Sequence, residues 1–152
     1  MFPDGLPFDI PASDPAPPPK PLTPHFEAGT RTVNLYLTVP AHREGGLNVS
    51  VTPDASARFT SDLVCVSGDV SGSTNKQIQI ARRNLSILTD GDNLDGKSVL
   101  PIARVERTRD NAVRLDPDFI PPVLKIGASP VLASMVRELV ERVGTRAAAL
   151  GA

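Results

Sequence analysis

A chain of 152 residues, 40% apolar and 22% charged with a formal net charge of −1, is long enough to fold around a core of its own. Aromatic residues make up 4%, Trp is absent and no basic cluster stands out, which excludes a base-stacking surface or a phosphate-tracking groove; no nucleic-acid partner is expected. A single cysteine excludes an internal disulfide, as expected for a reducing compartment, no apolar run is long enough to span a bilayer and no signal-peptide pattern opens the chain, so no membrane insertion is expected.

Nine of the 16 prolines lie in the first 24 residues. Pro11 to Pro24, PASDPAPPPKPLTP, lacks periodicity and reads as extended and polyproline-like. It could serve as a ligand for a proline-recognition domain; the reading adopted is a stiff connector lying along a domain surface. Thr32 to Val39 then alternates, with Val33, Leu35, Leu37 and Val39 on one face: a half-buried strand stopped by Pro40. Gly45-Gly46 places a turn within Arg43 to Ser50, and Ala57 to Val66 is a second strand. Cys65, inside the apolar run Leu63 to Val66, is expected as a buried small hydrophobe rather than a nucleophile. Gly68 to Thr74, GDVSGST, reads as loop. In Gln77 to Leu88, Ile78 and Ile80 share one parity and Leu85 and Ile87 the other, which requires a break near Arg82 to Asn84. Ser98 to Thr108 and Ala112 to Leu115 follow as strands, with a tight turn at Asp110-Asn111.

After Pro121-Pro122 the period becomes helical. Ser129 suits an N-cap and Pro130 the first helical position. Leu132, Val136, Leu139, Val143, Arg146 and Leu150 follow at spacings of 4, 3, 4, 3 and 4, a heptad seam with one polar break at Arg146. Glu138 and Arg142 stand four apart in the favourable order. Such a seam needs cover, from the strand domain or from another chain, and periodicity does not say which.

Gly91 to Ser98, GDNLDGKS, satisfies the phosphate-loop pattern G-x-x-x-x-G-K-[ST]. Its context opposes that chemistry. Pro101 falls where the helix interior is needed, at a cost of about 3 kcal/mol, and Ile102 to Arg107 reads as strand. Asp92 and Asp95 would repel a phosphate in the loop. A calcium loop fails too, since Gly91 and Ile102 occupy its first and last ligand positions. The reading adopted is an acidic hairpin turn between Leu85–Ile87 and Val99–Leu100, with Lys97 facing solvent. His25, His42 and Cys65 do not compose a zinc site, and no nucleophile elbow or paired carboxylates are present. No catalytic residue, cofactor or metal is expected, and the chain reads as a non-enzyme.

Three stretches in order carry a family resemblance: Phe2 to Pro11 (FPDGLPFDIP), Asn93 to Arg104 (NLDGKSVLPIAR) and Leu115 to Pro130 (LDPDFIPPVLKIGASP). Together with the heptad helix they resemble the TssK family of type VI secretion baseplate proteins, also called ImpJ or VasE. The resemblance implies a mainly β fold with a C-terminal helix: an antiparallel β-sandwich "shoulder", like that of phage receptor-binding proteins, leading into a helical "neck". Phe119, Ile120, Pro121 and Pro122 would pack the strand-to-helix junction, and Ala128, Ser129 and Pro130 complete the family motif. Leu132, Val136, Leu139, Val143 and Leu150 would pack a cytoplasmic homotrimer.

The resemblance further implies a structural adaptor whose shoulder attaches to the TssF–TssG wedge and whose head docks on a membrane complex. Family members begin with an upstream segment rich in Trp, Gly, Pro, Gln and His and continue into a head. Neither is in this sequence, which therefore reads as a fragment. Its expected parts are an extended proline-rich segment (1–30), the shoulder (31–122) and the junction with the first neck helix (123–152). Docking on the membrane complex is accordingly not expected. Two alternatives stay open: a phage or tail-like receptor-binding module, and a nucleotide-binding protein using GDNLDGKS.

Overall fold

The structure is a computed structural model that describes residues 1–26, 29–52, 54, 56–67 and 75–151. Among these residues seven strands precede one long helix: β1 (Thr32–Pro40), β2 (Val49–Ser50), β3 (Phe59–Ser67), β4 (Asn75–Arg83), β5 (Ser86–Thr89), β6 (Lys97–Arg107), β7 (Val113–Leu115) and α1 (Pro130–Leu150). They form a four-stranded sheet in the order β5-β1-β6-β7 and a three-stranded sheet in the order β2-β3-β4. β3 and β4 pair antiparallel along their whole length, β7 pairs antiparallel with the Val105–Arg107 end of β6, and β2 runs parallel to β3. Hydrogen bonds from Arg107 N–H to Arg31 O and from Ala41 N–H to Gly96 O bracket β1 and β6 and make that pair antiparallel. The two-sheet, mainly antiparallel fold with a C-terminal helix is the class expected. The predicted GDVSGST loop lies outside the described residues.

The chain forms two compact units, Met1–Pro21 with Tyr36–Leu100 and Leu22–Leu35 with Pro101–Ala152, and β1 and β6 run through both. In the first unit Phe2, Leu37, Val39, Ala57 and Leu85 are buried. In the second, Phe26, Val33 and Val105 form a cluster against which Leu22 and Leu35 pack. The expected inward face of β1 is therefore real, but the strand is not half-exposed. Thr38, on the opposite parity, is fully buried as well. Its hydroxyl donates to Ser86 O at 3.2 Å and meets Ser86 Oγ at 2.8 Å, which satisfies a polar group that burial would otherwise penalise. Pro40 closes β1 as its last residue.

The parity break expected near Arg82–Asn84 is where the chain changes sheets: β4 belongs to the three-stranded sheet and β5 to the four-stranded one. Asn84 fixes the crossing by donating from its side chain to Ala57 O at 2.9 Å and Asp54 O at 3.0 Å. Two local expectations are overturned. Leu85–Ile87 and Val99–Leu100 are not joined by a hairpin, because β1 lies between β5 and β6. And Cys65 is exposed, because the Leu63–Val66 run sits on β3, whose sheet leaves much of both faces uncovered; Leu63 is 66% exposed.

Candidate interaction surfaces

The phosphate-loop look-alike resolves into turn chemistry. Asp92 N–H donates to Thr89 O, closing one turn, and Gly96 turns the chain back with a positive φ of 67° that suits glycine. Strand β6 begins at Lys97, so no helix follows to hold a phosphate. The Asp92 carboxylate instead accepts from Thr89 N–H at 2.7 Å and Thr89 O–H at 2.8 Å through one oxygen, and from Lys20 Nζ at 2.9 Å through the other. Burial pushes this carboxyl up, but Lys20 and Thr89 outweigh it and bring it down to about 2. Lys97 is half-buried rather than facing solvent.

Among the described residues Lys20 makes one of three ion pairs that tether the N-terminal segment. Asp4 Oδ2 meets Arg58 Nη2 at 2.6 Å, and Arg58, itself buried, also donates to Pro40 O at 2.8 Å. Asp14 Oδ1 meets Arg83 Nη1 at 2.7 Å. The other Asp14 oxygen accepts from Asp9 N–H at 2.9 Å. Phe2 is buried and its ring stacks at a tilt on Phe8, centroids 5.2 Å apart. The adopted reading of a connector lying along a surface fits the segment through Pro21. Its anchors were missed because each joins residues 54 to 72 positions apart, a distance no local pattern signals.

The junction is organised around Arg104. Its guanidinium donates to Asn34 Oδ1 at 3.0 Å, lies 3.6 Å from Asp116 Oδ2 and stacks over the half-buried Phe119 ring at 5.6 Å. Asp116 N–H donates to Arg104 O at 2.8 Å, and Asp118 N–H to Asp116 Oδ1 at 2.9 Å, so the chain turns off β7 before Ile120, Pro121 and Pro122. Phe119 and Pro121 are half-buried, Ile120 and Pro122 exposed. A short 3₁₀ turn, Ile126–Ala128, then leads into α1; Ala128 is exposed and Ser129 buried. Ser129 Oγ accepts from Leu132 N–H at 3.3 Å and Pro130 opens the first turn.

Along α1 no residue is buried. Leu132 is half-buried, while Val136, Leu139, Val143 and Leu150 are exposed, together with Met135 and Val140 beside them. At about 30 Å long, this helix carries a wide apolar stripe. The Glu138–Arg142 pair closes at 2.7 Å on its flank. No helix among the described residues is long and apolar enough to cross a membrane.

Over residues 1–152 the sequence matches the family described as bacterial type VI secretion, EvfL, ImpJ, VasE. It is 35% identical over 154 residues to the type VI secretion system baseplate component TssK1 of Pseudomonas aeruginosa, an alignment covering 99% of this chain and 34% of that protein. A crystal structure of TssK superposes with a TM-score of 0.76 at 26% identity, covering 99% of this chain and 34% of that one. A chain of a TssK–TssF–TssG baseplate subcomplex superposes at 0.78 and 26% identity, covering 95% and 48%. This chain thus spans about a third of the length of the curated relative it matches. With its whole length matched by the family and more than a third of its residues identical to TssK1, the chain belongs to the bacterial type VI secretion family of ImpJ, VasE and TssK.

Proposed function

We propose that this chain is the shoulder and first neck helix of a type VI secretion baseplate adaptor, a cytoplasmic structural element without enzymatic activity. The observation that carries the reading is the 35% identity to a baseplate component over 99% of the chain. A surface built from turn caps and ion pairs, with the phosphate-loop string spent on a strand connection, supports a scaffold rather than a catalyst. In this reading the two-sheet domain takes the TssF–TssG wedge, the partners named in the subcomplex whose chain it resembles. The uncovered stripe Leu132, Val136, Leu139, Val143 and Leu150 packs copies of the chain into a homotrimer. The junction from Phe119 to Pro122, with Ala128, Ser129 and Pro130, sets the angle at which the helix leaves the sheet.

Two measurements test it. Co-purification with the TssF–TssG wedge of the same organism should retain this chain, and sedimentation should give three copies. Leu139→Asp with Val143→Asp should return it to a monomer while leaving the sheets folded. A chain that stays monomeric at high concentration and is not retained by the wedge would overturn the reading.

A further inference from the structure

The N-terminal segment is held unevenly. Its first part is anchored by Phe2, by Asp4 on Arg58 and by Asp14 on Arg83, and backbone hydrogen bonds from Gly5 to Phe2 and from Ser13 and Asp14 to Asp9 brace it internally. The following stretch, residues 15–21, is PAPPPKP, in which five of seven residues are proline and lack a donor. Among the described residues, its one hydrogen bond or ion pair is Lys20 to Asp92. Most of its side chains are exposed, so little apolar burial holds it either. The charges are ordered as well: acid, acid, base along the segment meet base, base, acid on the domain. A segment docked one tether out of step would place Asp14 against Asp92 or Lys20 against Arg83, a like-charge contact.

We propose that residues 1–21 form a strap docked by this charge order, and that Lys20 on Asp92 is a releasable latch which opens residues 15–21 while the Phe2 end stays fixed. The loop 90–96 is then the strap's receptor, which gives the GDNLDGKS string a role that its phosphate-loop appearance hides. The two ends differ in what loosens them. The latch is a single ion pair whose partners keep 22% and 21% of their side-chain surface in water, so salt reaches it. The anchored end includes a buried aromatic ring and a carboxylate that is 1% exposed, so screening leaves it in place. Opening leaves a seven-residue proline-rich stretch tethered at both ends.

Backbone ¹⁵N order parameters on the intact chain test this. At low salt Ala16 and Lys20 should be as rigid as Gly5 and Asp14, near the ~0.85 of ordered backbone. In 1 M salt, or with Lys20→Met, residues 16 and 20 should fall below ~0.6 while Gly5, Asp14 and the core-packed Leu22 hold. Lys20→Arg, which keeps the charge, should remain closed at low salt. Lys20→Met leaves the Thr89–Asp92 turn intact, so any loosening is not a collapse of the receptor. Unchanged order at residues 16 and 20 in Lys20→Met would overturn the latch. Equal loosening of Gly5 and Asp14 would overturn the uneven release.

Discussion

Consider removing Asp14, the most buried acid on the strap. Its carboxylate, 1% exposed, accepts from Arg83 Nη1 at 2.7 Å and from Asp9 N–H at 2.9 Å. Asp14→Ala deletes both bonds, strands the Asp9 N–H and leaves a guanidinium whose Nε is already buried without a partner. Breaking a buried pair costs about 3–5 kcal/mol. The Arg83 side chain keeps 25% of its surface in water and recovers part of its hydration, which lowers the expectation to about 2–3 kcal/mol. Asp14→Asn keeps an acceptor oxygen for one donor but turns an amide NH2 toward the other, so it should still cost about 1–3 kcal/mol. Asp14→Ala with Arg83→Met removes both charges and the unpaired Nε; replacing a buried pair by apolar groups is often near neutral, so the double variant should cost less than Asp14→Ala alone. Urea unfolding followed by far-UV circular dichroism reads all of these as midpoint shifts at constant slope. Additive losses in the double variant, or an Asp14→Ala loss under about 0.5 kcal/mol, would refute the reasoning.

Stability should fall as pH drops from about 4 to about 2 through Asp92. Its folded pKa lies below the unfolded 3.8, so the stabilisation is complete above 3.8 and disappears as the folded carboxyl protonates near 2. Lys20→Met should shrink this acid-side slope in a pH series of thermal melts. Ser129→Ala, which loses the cap on Leu132 N–H, should cost about 1 kcal/mol and lower the helical signal at 222 nm. Val33→Ala, in the cluster with Phe26 and Val105, should cost about 2 kcal/mol. Leu63→Ala on the uncovered β3 should stay within about 0.5 kcal/mol in the same denaturation assay, and a larger loss would place that side chain in a core.

Local pattern revealed the elements well. The alternation of Val33, Leu35, Leu37 and Val39 located β1, and the parity switch between Ile80 and Leu85 located the crossing between sheets. Ser129 and Pro130 located the start of α1, because the groups that satisfy its first turn are its immediate neighbours. What pattern could not supply was neighbourhood. Period two says that Leu63, Cys65 and Val66 lie in a strand, but not whether another layer covers it, so burial was expected where exposure is found. Likewise, Asp and Gly residues mark a turn after Ile87, but the strand entering between β5 and β6 comes from about fifty residues earlier.

The same limit governs the candidate surfaces. The α1 stripe was legible because a helix repeats its face, and Val136, Leu139, Val143 and Leu150 are exposed along it. The strap was illegible for the opposite reason. Lys20 and Asp92 belong to unrelated local patterns, a proline run and an acidic turn, and gain a joint meaning only when the fold sets them 2.9 Å apart. In GDNLDGKS the pattern for phosphate contact counts Gly91, Gly96, Lys97 and Ser98, while the residue that makes the observed contact is Asp92, one of its unspecified positions. A motif states which residues a chemistry needs, and the strand beginning at Lys97 decides that this chemistry is not the one the loop performs.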